Sequence, residues 1–472
     1  MTSCPRSPRR PVLLALLLAV LLAPVRGHAA EPKTAAGGTP VWVFENVTIV
    51  PMDRDGVVPD RTVVVQGDRI ASIEPSGRAK TPPGAVRIDG RGKYLIPGLA
   101  DMHIHLAQGP GAVSDPAGRQ LRLLLANGIT TARVLIPSPM ALEVRDRIAR
   151  GEQIGPRLVV YSPSLNANTV TGPEQAAGLV EEYANRGFEG IKTHGGLERP
   201  EYDAMMAAAA RRKLPVSGHV TSQVGLERAL EAKQQIEHLD GYLAALVPEQ
   251  ASIPPLEGQF VLEDQELREI DESRIASVVA ATRAAGIANS PTLALFATLV
   301  SDEEVNALAM RPEMKYAPRA AVAGWSQQVA AFPGRQVPIE NRRRYTRLRD
   351  RLVRELDKAG CPILAGSDSP QIFMVPGFAL HRELEALVAA GLSPYAALTA
   401  ATRNPHRYLG DPERGTIAPS QKADLVLLDG NPLEDIRNAS RVSGVLTGGA
   451  WHDAARLRSL LDEVERSARG AG

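Results

Sequence analysis

Between residues 41 and 89 the apolar positions come in short blocks. Val41–Val50 (VWVFENVTIV), Thr62–Gln66, Arg69–Ile73 and Val86–Ile88 gather β-branched residues between Asp, Gly and Pro turns, which predicts short antiparallel strands. They make too little sheet to stand alone. Ala423–Leu428 (ADLVLL) and Val442–Leu446 repeat the pattern near the other end, so the simplest topology is two half-sheets closing around an insertion. Within that insertion, apolar runs alternate with amphipathic helical stretches. The runs are the segment ending at His105, Thr130–Ile136, Arg157–Tyr161, Gly190–Thr193, Val216–Val220, Gln235–Leu239, Ala288–Leu293 and Pro362–Ser367. Eight strands, each followed by a helix, predict a (β/α)8 TIM barrel whose site lies at the C-terminal strand ends. The fold class expected is therefore α/β, a barrel with a small composite β-sandwich domain built from both chain ends. The segments read as 41–95 for the first half of the β-domain, 96–411 for the barrel, 412–455 for the second half and 456–472 for a C-terminal helix or tail. Longer insertions at 240–275 and 296–345, the latter with Arg342-Arg343-Arg344, read either as lids or as charged helical faces.

Composition agrees. A chain of 472 residues with 44% hydrophobic and only 4% aromatic residues can bury a large core of packed helices and parallel strands. The first residues change the picture of where it works. Arg6, Arg9 and Arg10 precede the apolar run Val12–Val25, and Gly27-His28-Ala29 supplies small residues for cleavage, so 1–29 reads as a secretory signal peptide and 30–40 as a linker. The run is short for a bilayer span, and no stable membrane span is expected after cleavage. The expected location is exported, periplasmic or secreted. Arg9-Arg10 also permits a twin-arginine route, but Pro11 favours the general one. Setting aside residues 1–29, with four Arg and no acid, moves the net charge from +1 to −3, and nothing points to nucleic acid. Of two cysteines only Cys361 would remain, so no intrachain disulfide can form. A homo-oligomer is compatible with such a fold.

The candidate chemistry sits at the strand ends. In Asp-Met-His-Ile-His, strand geometry puts His103 and His105 on one face, half of a metal site. His194, His219 and His238 also fall at or just after predicted strands, with Lys192 and Asp368. Any one of them alone reads as a packed histidine or, for Asp368, as a helix cap. Clustered imidazoles at one barrel end cost desolvation without contributing apolar area, which favours a divalent metal centre. One arrangement is mononuclear, with Lys192 only hydrogen-bonding; the other is binuclear and needs Lys192 to be modified. Either would activate water toward a carboxamide, with Asp368 as ligand and general base. Arg133, or one of Arg342 to Arg344, is a candidate partner for a substrate carboxylate, and His194 and Tyr242 are further substrate-binding candidates.

Several segments together carry a resemblance: PGLADMHIHL, GITTAR, GIKTHGG, PVSGHV, QIEHLDGY, LAGSDSP, GLSPYAALTAATRNPHRYLG and GTIAPSQKADLVLLDGNPLEDI. The chain resembles the metal-dependent amidohydrolase superfamily, in its imidazolonepropionase-like and Xaa-Pro dipeptidase (prolidase)-like branch. The resemblance runs from about residue 41 to about 452. It implies the same barrel and composite β-domain, and a divalent metal centre, usually two Zn2+. His103 and His105 match its first-strand ligands, Lys192 the lysine that is often carbamylated, His219 and His238 the fifth- and sixth-strand ligands, and Asp368 the eighth-strand aspartate. It also implies a small-molecule or dipeptide substrate, with C–N bond hydrolysis in a dipeptide or N-acyl amino acid. The sequence departs from the branch at His219-Val220-Thr221, where His-Ala-His is common, and at Arg133-Val134, where an Asp often follows the Arg. Those positions line the pocket, so the departures bear on substrate. Lactone, ester or cyclic amide hydrolysis on the same site is the alternative, and a non-catalytic periplasmic binding protein is the alternative of another class.

Overall fold

The structure is a computed structural model and describes residues 40–106, 116–251 and 263–470. The proposed signal segment, most of the linker and part of the 240–275 insertion lie outside them. The β-domain strands are β1 (Val41–Ile49), β2 (Val58–Gln66), β3 (Arg69–Pro75), β4 (Val86–Asp89) and β5 (Tyr94–Pro97). The barrel strands follow: β6 (Leu99–His105), β7 (Ile129–Ile136), β8 (Arg157–Val160), β9 (Ile191–Thr193), β10 (Val216–Gly218), β11 (Gln235–Glu237) and β12 (Asn289–Ser290). Last come β13 (Leu425–Leu428), β14 (Val442–Thr447) and β15 (Ala450–Asp453).

Both chain ends build one eight-stranded sheet in the order β15-β14-β13-β5-β1-β2-β3, with β4 also paired to β1. The sheet is mixed. β4 and β5 run parallel to β1, whereas the sequence predicts antiparallel strands; β3 ends level with Val47, and residues 76–85 carry the chain back to Trp42, where β4 begins. Strand alternation divides β13 between two cores. Leu425 and Leu427 join Trp42, Phe44, Val63 and Leu95 in the β-domain, while Val426 and Leu428 join the main barrel core.

The parallel strands close into a ring. β6, β7 and β8 pair in order, as do β9, β10, β11 and β12. β8 and β9 are joined where Glu189 N donates to Val160 O at 2.9 Å and Ser162 N to Gly190 O at 3.0 Å. Residues 362–369 supply the eighth segment. Leu364 N donates to Asn289 O at 2.8 Å on one side, and Met102 N to Ala365 O at 2.9 Å on the other. This segment makes isolated bridges to Asn289 and Ile104 instead of a continuous ladder. The predicted seventh strand, Ala288–Leu293, also ends early, because the helix Leu293–Val300 begins inside it. Among the described residues no helix is long and apolar enough to cross a membrane.

Candidate metal centre

The site residues emerge where the strands stop being regular. β6 has register breaks around Ile104 and His105, and both of its histidines meet one carboxylate: Asp368 Oδ1 lies 3.3 Å from His103 Nε2 and 3.0 Å from His105 Nε2. His238 and Asp368 themselves have φ of 62° and 55°, left-handed conformations that cost a non-glycine residue on the order of 1–3 kcal/mol and persist only where the surroundings enforce them. Two glycines allow the close approaches. A Cβ on Gly218, just before His219, would sit 2.0 Å from Thr193 O, and one on Gly366 would sit 2.8 Å from His103 Cβ.

The imidazoles form a row. Ring centroids are 5.3 Å apart for His103 and His105, 4.9 Å for His103 and His238, 4.8 Å for His238 and His219, and 4.2 Å for His219 and His194. Outer partners fix which nitrogen faces inward. His103 Nδ1 meets Glu237 Oε2, His219 Nδ1 meets Asp240 Oδ2, and His238 Nδ1 meets Thr292 Oγ1, each at 2.7 Å. Carboxylates accept, so Nδ1 of His103 and His219 carries the proton and Nε2 keeps its lone pair for a cation. Thr292 Oγ1 donates to Pro291 O at 2.8 Å and is therefore the acceptor for His238.

The electrostatics suit a cation. Burial pulls His103 down to about 4 and His238 well below the ordinary imidazole value, so both are neutral, the form that can bind a cation. His194 falls to about 3, through burial and then the charge of His219. Burial alone would raise Asp368, but His103 and His105 outweigh it and hold the carboxyl well below the usual range. Lys192 is 1% exposed and its Nζ has no hydrogen-bond partner among the described residues; burial lowers its pKa against the pull of Glu237 and Asp368. Ligand atoms of His103, His105 and Asp368 all lie within 4.8 Å of one another. Converging lone pairs, an ionised carboxylate and an unpartnered buried amine fit a divalent metal centre.

The structure differs from several of the sequence-based expectations. Arg133 is 0% exposed: Nη2 donates to Glu237 Oε1 at 2.6 Å, Nη1 to Gln235 Oε1 at 2.8 Å and Nε to Met102 O at 2.7 Å, while Tyr161 and Tyr408 flank the guanidinium. It is a cation buried inside the barrel against the carboxylate of Glu237, with no surface open to a substrate carboxylate. Tyr242 is likewise buried, with its hydroxyl 3.0 Å from Thr282 Oγ1 behind the strands. Arg342 donates to the carbonyls of Val300, Ser301 and Val337, Arg343 pairs with Asp302 and Arg344 faces Glu272 of the preceding insertion, so the basic run is engaged within the two insertions. Asp368 caps no helix; the next one begins at Phe378, after Gly377. The orienting residues Glu237, Asp240 and Thr292 escaped the sequence reading, although Glu237 and Asp240 flank His238 in the motif QIEHLD.

The family model of the amidohydrolase family matches residues 94–451, and the chain belongs to that family. Its members generally hold divalent metals, as the His-His-Asp cluster suits. Among solved structures the chain is similar to a bottromycin amidohydrolase, at 26% identity over 90% of each chain with a TM-score of 0.70. It shares the fold of a prolidase-type structure from Bifidobacterium longum, at 24% identity over 91% of this chain and 100% of that one, with a TM-score of 0.67. It is also similar to adenine deaminase 2 of Bradyrhizobium sp. (strain ORS 278), 29% identical over 222 residues, which is 42% of this chain and 36% of that protein. The chain spans about a third of the length of the first curated relatives it matches.

Proposed function

We propose that this protein is an exported metal-dependent hydrolase that cleaves a C–N bond in a dipeptide or N-acyl amino acid. The observation that carries the reading is the convergence of His103, His105 and Asp368 ligand atoms beside the buried, unpartnered Lys192 amine. A divalent metal there supplies Lewis acidity to the carbonyl and brings the pKa of water toward roughly 7. His103, His105, His219 and His238 would hold it, together with Asp368. Asp368, kept ionised by its neighbours, takes the proton of the attacking water and returns it to the departing amine.

Two zinc ions with a carbamate on Lys192 fit better than one. An ammonium beside two cations is repulsive, whereas a neutral amine adds to CO2, releases one proton and becomes an anion that can serve both metals. Burial lowers the pKa of Lys192 and so favours the neutral amine that this requires. Export rests on the basic and apolar pattern of residues 1–29, and peptide scavenging suits it.

The test is elemental analysis of the purified protein, followed by a library of dipeptides and N-acyl amino acids assayed beside lactones and adenine. Close to two ions per chain, with turnover of amides, is the expected result. Turnover of lactones or adenine alone would overturn the amide assignment, and one ion per chain would replace the carbamate by a lysine that only hydrogen-bonds.

A further inference from the structure

The helix Ile339–Lys358 packs outside the barrel and contributes nothing directly to the metal centre, yet Arg349 on it is 3% exposed. Its guanidinium spans two strand ends. Nη1 donates to the carbonyl of His238 at 2.8 Å and Nη2 to that of Pro291 at 2.9 Å. The planar group lies 4.1 Å from the Phe296 ring centroid, which fixes the plane from which its two donors point.

Both carbonyls belong to the support of one imidazole. His238, Leu239 and Thr292 are all left-handed, with φ of 62°, 56° and 48°. Something must hold them there. Thr292 accepts the His238 Nδ1 proton and donates its own to Pro291 O, the same oxygen that Arg349 holds. From the other side Glu383 accepts from Leu293 N at 3.0 Å and Ala294 N at 2.8 Å, so the turn after β12 is gripped on both faces.

We infer that Arg349 is a positioning residue for the metal centre: it sets the orientation of His238 through that residue's own carbonyl and through the Pro291–Thr292 turn. This rests on the reading that His238 is a metal ligand. Arg349 touches neither substrate nor metal, and its influence passes through backbone. The helix Ile339–Lys358, which begins within the 296–345 insertion, is thereby coupled to one ligand of the site.

Cobalt(II) provides a probe that reports ligand geometry apart from turnover. Wild type, Arg349→Lys and Arg349→Ala are loaded with Co2+, and their visible spectra and metal release to a competing chelator are compared, with thermal unfolding of the metal-free forms as a control. Arg349→Ala is expected to bind roughly 10–100-fold more weakly, the usual loss when an outer partner of a ligand is removed, with an altered spectrum. Guanidinium well below denaturing concentrations should restore both. Arg349→Lys, a point donor that does not reproduce the fork, should fall between. A folded Arg349→Ala with wild-type spectrum and affinity overturns the assignment, as does a lowered melting temperature with an unchanged spectrum. If Arg349→Ala does not fold, an unchanged spectrum in Arg349→Lys overturns it and a shifted one sustains it. A His238→Ala variant that binds Co2+ as well as wild type would instead remove the reading on which the assignment rests.

Discussion

His103 and Glu237 meet at 2.7 Å inside the barrel, with neither side chain more than 1% exposed. The other Glu237 oxygen is held by Arg133 and by Ser217 Oγ, so one carboxylate ties the His103 imidazole to a cation buried in the core. Burial would push Glu237 up, but Arg133 and His103 hold it well below the usual range. Removing its charge strands Arg133 in the interior. Glu237→Gln should therefore cost about 3–5 kcal/mol of stability, the usual penalty for breaking a buried pair, and should weaken metal binding. Denaturant titration and metal content check both.

Arg133 separates two ideas of what a buried arginine does here. Arg133→Met should lower the melting temperature and the metal content, while KM values for free-acid and amidated substrates change by the same factor. A selective rise in KM for the free acid would return Arg133 to the substrate pocket.

Lys192→Ala should lose most of the metal and the activity. In the parent protein, reloading the metal-free form should reach two ions per chain with bicarbonate present and fewer without it. Stoichiometry that ignores bicarbonate would leave Lys192 a hydrogen-bonding residue.

Asp368→Asn keeps the shape and one oxygen ligand but removes the base. Bound metal should be largely retained while kcat falls by roughly 10²-fold or more, the usual contribution of general acid–base catalysis. Near-parental turnover would exclude the proton shuttle.

Glu383 makes stability depend on pH. Burial raises its folded-state pKa from 4.5 to about 7, so the folded chain holds this proton more tightly than the unfolded one. Its contribution is complete below pH 4.5 and is lost as pH rises through 7. The unfolding free energy of Glu383→Gln, minus that of the parent, should therefore be more positive at pH 8 than at pH 5. An equal difference at both would show that the residue stays ionised throughout.

The barrel was legible because apolar runs and helical periods alternate, and its glycine-punctuated strand ends mark where polar side chains emerge. The eighth segment was found as an apolar run, yet it pairs only by isolated bridges, since Gly366 and left-handed Asp368 turn the backbone out of the ladder. Strand direction in the β-domain was not legible: β1, β4 and β5 carry no local mark of which partners run parallel. Single residues were read from chemical type alone. Arg133 looked like a substrate anchor because its counter-charge, Glu237, is more than a hundred residues away. Thr292 and Arg349 belong to no motif, and their roles exist only where β11 and β12 lie side by side.

The ladder between β5 and β13 pairs Pro97 with Leu425, so its two partners leave the ribosome far apart in time. Until β13 arrives, β5 has an open edge, and Leu95 and Ile96 lack the apolar neighbours that β13 supplies to both cores. A nascent chain or a product truncated before residue 425 would carry that sticky edge. Such fragments are expected to aggregate or to be held by chaperones, whereas trimming only the residues that follow β15 would leave the edge covered.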